Sequence, residues 1–130
     1  MRTRWCAVCK FVYNSTVRTN GTFMSPNWPG FYPRATECHY FFEGRTHERI
    51  HITFAYFDVE GVIPCTTDTA SDYVEFSNYP TVDRKIPRHC GLKKPQVIDS
   101  DREFFRVTFK TNDRFDGTGF EAFYQFRNYV

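Results

Sequence analysis

Between Arg49 and Tyr56, apolar Ile50, Ile52, Phe54 and Tyr56 alternate with Arg49, His51, Thr53 and Ala55. A period of two suits a strand with one face buried and does not suit a helix. The same rhythm returns twice near the end of the chain: Phe105, Val107 and Phe109 share one face, and Phe120, Ala122, Tyr124 and Phe126 alternate with Glu121, Phe123 and Gln125. Shorter stretches read as strands at Thr22–Ser25, Cys38–Glu43 and Asp72–Phe76, with a short strand or turn at Arg88–Gly91. Gly, Pro and polar clusters separate them, and no helical period intervenes. Aromatic residues make up 19% of the 130-residue chain, a composition that favours sheet. The pattern predicts one all-β domain, an antiparallel sandwich.

Two connections stand out. Pro26-Asn27-Trp28-Pro29-Gly30-Phe31-Tyr32-Pro33 is a rigid loop, with three prolines and one glycine in eight residues. Asp58 to Ser71 is a long acidic and polar loop broken by Gly61 and Pro64, and loops of this length often carry function.

Charge excludes one class of partner. The 17 basic and 15 acidic residues are scattered, so no basic block tracks a phosphate backbone, and nucleic acid is not expected. No apolar run approaches a membrane span, and Met1-Arg2-Thr3-Arg4-Trp5 is not followed by the apolar core of a signal peptide. The five cysteines, Cys6, Cys9, Cys38, Cys65 and Cys90, permit two disulfides and one thiol, in pairings that spacing alone leaves open. Disulfides imply an oxidising, extracellular setting, so a chain without a leader reads as a fragment of a longer protein or a truncated gene model. The sequons Asn14-Ser15-Thr16 and Asn20-Gly21-Thr22 fit secretion and mark Asn14 and Asn20 as glycosylation candidates.

From Cys9 to Phe126 the residues resemble the CUB family. Gly21-Thr22-Phe23-Met24-Ser25-Pro26-Asn27-Trp28-Pro29 with Phe31-Tyr32-Pro33 is similar to the family's early glycine, strand and Ser-Pro-Asn-aromatic-Pro turn. Cys38 with Tyr40 matches the second cysteine, and Phe57-Asp58-Val59-Glu60 resembles the acidic corner before the third. Asp72-Tyr73-Val74-Glu75-Phe76, His89-Cys90-Gly91 and Gly119-Phe120-Glu121-Ala122-Phe123-Tyr124 complete the pattern. The resemblance departs from the family in Lys10-Phe11, where Gly-Gly is usual, and in about four extra residues, roughly 69–71 with a neighbour, before Asp72.

The resemblance implies a jelly-roll-like, disulfide-stapled β-sandwich over residues 9–127, with residues 1–8 and 128–130 as flanks. It implies the pairs Cys9–Cys38 and Cys65–Cys90, each closing a loop worth about 3–4 kcal/mol on a chain-entropy argument. It also implies a calcium site with Glu60, Asp72 and Asp113 as ligands, oriented by Tyr32, with Asn112 standing where the family usually has Ser. Calcium would fix acidic loops whose rim receives a Lys or Arg of another extracellular protein. The wording of Phe31-Tyr32-Pro33-Arg34, His47-Glu48-Arg49-Ile50-His51 and Ser71 to Phe76 is further similar to arthropod CUB proteins of the suppressor-of-lurcher type. Those proteins assist neuronal glutamate receptors, which implies a glutamate-receptor complex as the partner.

Catalysis is not expected. There is no Gly-x-Ser-x-Gly elbow or His-Glu-x-x-His helix, and nothing sets a nucleophile beside His39, His47, His51 or His89. Cys6-Ala7-Val8-Cys9 has the spacing of half a zinc knuckle but lacks the second half, so Cys6 reads as a bridge to another chain or domain, or as a free thiol. The competing expectation is a metal-free spacer module that binds, if at all, through an aromatic patch drawn from Trp28, Phe31, Tyr79 and Tyr129.

Overall fold

The computed structural model describes residues 7–66, 69–80 and 85–128. Among the described residues, nine strands form two sheets: β1 (Ala7–Asn14), β2 (Asn20–Met24), β3 (Thr36–Glu43), β4 (Glu48–Asp58), β5 (Tyr73–Ser77), β6 (Lys85–His89), β7 (Ile98–Asp99), β8 (Phe104–Lys110) and β9 (Gly119–Asn128). One sheet runs β1-β3-β8-β5-β6 and the other β2-β9-β4-β7. The expected β-sandwich is therefore present. Among the described residues, no helix is long and apolar enough to cross a membrane.

The alternating stretches build the core. Ile50, Ile52 and Phe54 of β4, Phe120, Ala122, Tyr124 and Phe126 of β9, and Phe105, Val107 and Phe109 of β8 are all buried. Removing one such Val, Ile or Phe side chain from water contributes about 1.5–3 kcal/mol. Rings interlock between the sheets, where Phe23 meets Phe42 at 5.1 Å edge-on and Phe109 meets Phe120 at 5.4 Å nearly perpendicular, and within one sheet, where Phe23 meets Phe120 at 5.8 Å edge-on. Edge-on geometry sets the positive rim of one ring against the negative face of another.

Three details differ from the sequence reading. Tyr56 is 40% exposed, although its place in the alternation assigns it to the buried face. A bulge between Phe54 and Tyr56 against β9 inserts one residue, rotates Tyr56 outward and brings Phe57 into the core. Tyr56 packs instead on Trp28, with ring centroids 4.6 Å apart, and shares a 2.6 Å hydrogen bond with Thr118. Second, residues read as a polar start form β1, which lies parallel to β3 with Cys9 opposite Cys38; the other strand pairs are antiparallel. Third, β7 is a two-residue strand in a stretch without periodicity.

Disulfides join Cys9 to Cys38 and Cys65 to Cys90. The first ties the edge strand β1 to β3, and the second ties the β4–β5 loop to the end of β6. Cys6 and Tyr129 lie outside the described residues.

Candidate functional site

Antiparallel pairing collects three loops at one end of the sandwich. They are residues 25–35 between β2 and β3, 59–72 between β4 and β5, and 111–118 between β8 and β9. Tyr32, from the first loop, is almost wholly buried, and its ring meets Phe109 edge-on at 5.0 Å. Its backbone N–H donates to the carbonyl of Gly117 at 3.0 Å.

The Tyr32 hydroxyl works in both directions. It donates to Oδ2 of Asp72 at 2.6 Å and accepts the backbone N–H of Glu60 at 3.0 Å. The N–H of Asp72 in turn donates to the carbonyl of Glu60 at 3.0 Å. Oδ1 of Asp72 accepts the backbone N–H of Asn112 at 2.7 Å. One buried phenol and one buried carboxylate thus link all three loops.

Asn112 holds its own loop in shape. Its Oδ1 accepts the N–H of Arg114 at 3.0 Å, and its Nδ2 donates to the carbonyl of Ala70. The extra residues before Asp72 are consequently docked against the β8–β9 loop. They are also tied to one another: Thr69 Oγ1 donates to the Thr66 carbonyl at 2.9 Å and lies 3.0 Å from Ser71 Oγ, which accepts the N–H of Val62 at 2.8 Å.

Asp72 is completely buried, and its carboxyl pKa is pushed up to about 6. Desolvation is the largest cause; the hydrogen bonds from Tyr32 and Asn112 pull the other way, and the charges of Glu60 and Asp116 raise it further. Burial likewise raises the Tyr32 phenol, whose bond to Asp72 keeps its proton in place. Asp72 therefore carries a charge that hydrogen bonds only partly offset, next to two more acids. A hard cation with oxygen ligands suits such a donor set.

Of the expected ligands, the structure brings Glu60 and Asp72 together through Tyr32 and sets Asn112 directly on Asp72. Asp113 is exposed on the β8–β9 loop, and among the described residues no three metal-ligating side chains converge. Asp116 was not anticipated. It acts on Asp72 electrostatically and pairs with Arg34 at 3.6 Å, a relation set by loop path and invisible to spacing. Asp58 was also missed as a loop anchor: its Oδ2 accepts both the N–H and the Oγ1–H of Thr118, at 3.1 and 2.8 Å.

The aromatic patch does not assemble as expected. Trp28 is packed against Tyr56, and Tyr79 sits beyond the far end of β5 beneath the Arg102 guanidinium, 5.0 Å from its ring. Phe31 stays exposed, and so does Phe115 in the β8–β9 loop, each at 63%.

A CUB domain family model matches residues 9–124. Over 113 residues the chain is 35% identical to mouse neuropilin and tolloid-like protein 2, covering 85% of this chain and 21% of that protein. It is 34% identical over 106 residues to human tolloid-like protein 2, covering 81% of this chain and 10% of the relative. The chain thus spans about a fifth or less of these relatives' length. Among solved structures, the MASP-1 CUB2 domain bound to Ca2+ superposes with a TM-score of 0.74 at 22% identity, covering 88% of this chain and 96% of that one.

Proposed function

The chain belongs to the CUB domain family, and from that premise we propose that it is a calcium-assisted protein-binding module of an extracellular protein, not an enzyme. CUB domains are protein–protein interaction modules of extracellular proteins. The observation that carries the finer reading is the buried Asp72 carboxylate, held by Tyr32 and Asn112 beside the charges of Glu60 and Asp116. Glu60, Asp72 and Asp113 would hold the ion, and the superposable MASP-1 domain is a calcium-bound one. Calcium, when bound, supplies positive charge that offsets the cost of the buried carboxylate and of its acidic neighbours.

The chain's own residues do the rest. Tyr32 orients the Asp72 carboxylate and fixes the backbone that carries Glu60, so the acidic end of the domain is shaped before a partner arrives. Preorganised carboxylates on the rim favour a partner Lys or Arg through charge-assisted hydrogen bonds, and binding of this kind weakens with salt. The likeness to suppressor-of-lurcher-type proteins makes a glutamate-receptor complex the first partner to test.

The test is isothermal titration of the secreted, oxidised domain with calcium, beside Asp113→Ala and Asp116→Ala. Saturable binding lost in Asp113→Ala supports the ligand set; loss confined to Asp116→Ala moves the third ligand to that residue. An absence of binding in the parent sinks the metal. The exposed Phe31 and Phe115 favour a second reading, a metal-free module that binds through an apolar contact at this same end. Partner capture that survives chelation and fails in Phe31→Ala with Phe115→Ala would select it.

A further inference from the structure

The outer face of the four-stranded sheet carries a groove of about 400 Å³, well away from the acidic loops, and one of its walls is a sequon. Strand register lays it out. Asn20, Gln125, His51 and Asp99 form one row across β2, β9, β4 and β7, and Thr22, Phe123 and Thr53 form the next. Asn20 and Thr22 are both exposed, so the attachment residue and the hydroxyl of Asn20-Gly21-Thr22 share this face. Phe123 is 45% exposed, an aromatic ring left in water on an otherwise polar face of β9. His51 is paired with Asp99 at 2.6 Å and Arg127 with Gln125 at 2.6 Å, so the polar wall is ordered.

We infer that Asn20 carries an N-linked glycan whose first sugars lie in this groove against Phe123. In its attachment, Nδ2 of Asn20 forms a bond to the anomeric carbon of a lipid-pyrophosphate-linked oligosaccharide as the bond from that carbon to the pyrophosphate oxygen breaks. The amide gives up one proton, and the lipid pyrophosphate leaves. Two strand spacings, about 10 Å, separate Asn20 from β4, the reach of two linked pyranose rings. The apolar C–H face of an N-acetylglucosamine complements the electron-rich face of the Phe123 ring, and its hydroxyls and amide face Thr53, His51 and Gln125. A tethered sugar occupies such a groove at high effective concentration, so a weak contact suffices.

The inference rests on the extracellular part of the proposed function and not on calcium. The test uses the chain joined to a cleavable secretory leader and expressed in animal cells in an Asn14→Gln background, so that Asn20 is the single sequon. Peptide mass spectrometry reads its occupancy. Melting is then compared with and without the glycan, using Asn20→Gln, in the parent and in Phe123→Ala, whose exposed site leaves the fold intact. The glycan is expected to raise the Tm by roughly 3 °C with Phe123 present and by less than a third of that without it. Secreted, oxidised protein bare at Asn20 overturns the inference and leaves the extracellular reading standing. Equal increments in both backgrounds overturn the groove contact. A chain that is not exported overturns the extracellular reading and this inference together.

Discussion

At the scale of single residues, Tyr32 and Asp72 make predictions that separate structure from metal. Replacing Tyr32 with Phe keeps the edge contact with Phe109 but leaves Oδ2 of Asp72 and the N–H of Glu60 without their partner. Orphaning buried groups of this kind costs roughly 2–3 kcal/mol, which a denaturant midpoint would read, and calcium affinity falls with it. Asp72 also sets a pH dependence. Its folded pKa of about 6 lies above the ordinary carboxylate value of 3.8, so between these the folded chain binds more protons than the unfolded one. The metal-free fold therefore loses stability from this group as pH rises through that window, by on the order of 2–3 kcal/mol. Compared with Asp72→Asn, the parent should gain unfolding free energy at pH 4.5 relative to pH 7.5. Saturating calcium should reverse the penalty at pH 7.5, and its effect on Tm should fade toward pH 5 as protons compete for the same oxygens. None of this was legible in spacing: the family resemblance pointed to Tyr32, Asp72 and Glu60, but the burial that shifts Asp72 and the approach of Asp116 depend on how the loops fold back.

At the scale of strands and turns, β9 starts at a position that only glycine suits. Gly119 has φ +85°, and a Cβ there would come within 1.8 Å of Ser25 Oγ, the atom that accepts the N–H of Phe120. Gly119→Ala should cost about 2–4 kcal/mol through strain and the displaced Ser25, measured as a lower denaturant midpoint with the slope unchanged. Alternation was a sound guide along β8 and β9, where Phe105, Val107 and Phe109, and Phe120, Ala122, Tyr124 and Phe126, are buried as a period of two requires. It failed at Tyr56 because a bulge shifts the phase by one residue, and nothing in Phe54-Ala55-Tyr56-Phe57 distinguishes the bulged from the regular strand. At β1 the signal existed: Cys9, Phe11 and Tyr13 alternate with Lys10, Val12 and Asn14. Exposure of Phe11 and Val12 at the sheet edge blurs that contrast, and only the register against β3 shows Tyr13 stacked on Phe42 at 5.0 Å.

Across the whole molecule, the two staples and the edge strand carry unequal burdens. Cys65→Ser with Cys90→Ser should lower stability by about 3–4 kcal/mol and loosen the β4–β5 loop that leads to Asp72, seen as faster amide exchange there. Deleting residues 1–14 would do something different: it frees Cys38 and bares the edge of β3, so self-association by light scattering is the expected outcome. The Tyr32 hydroxyl has a consequence for how this end of the domain tolerates change. Because one oxygen bonds to both flanks of the β4–β5 loop, and Asp72 passes that grip on to Asn112, the three loops cannot be exchanged one at a time between related domains. A chimera that imports a single loop would inherit a mismatched joint, whereas one that moves residues 25–35, 59–72 and 111–118 as a cassette keeps the joint whole.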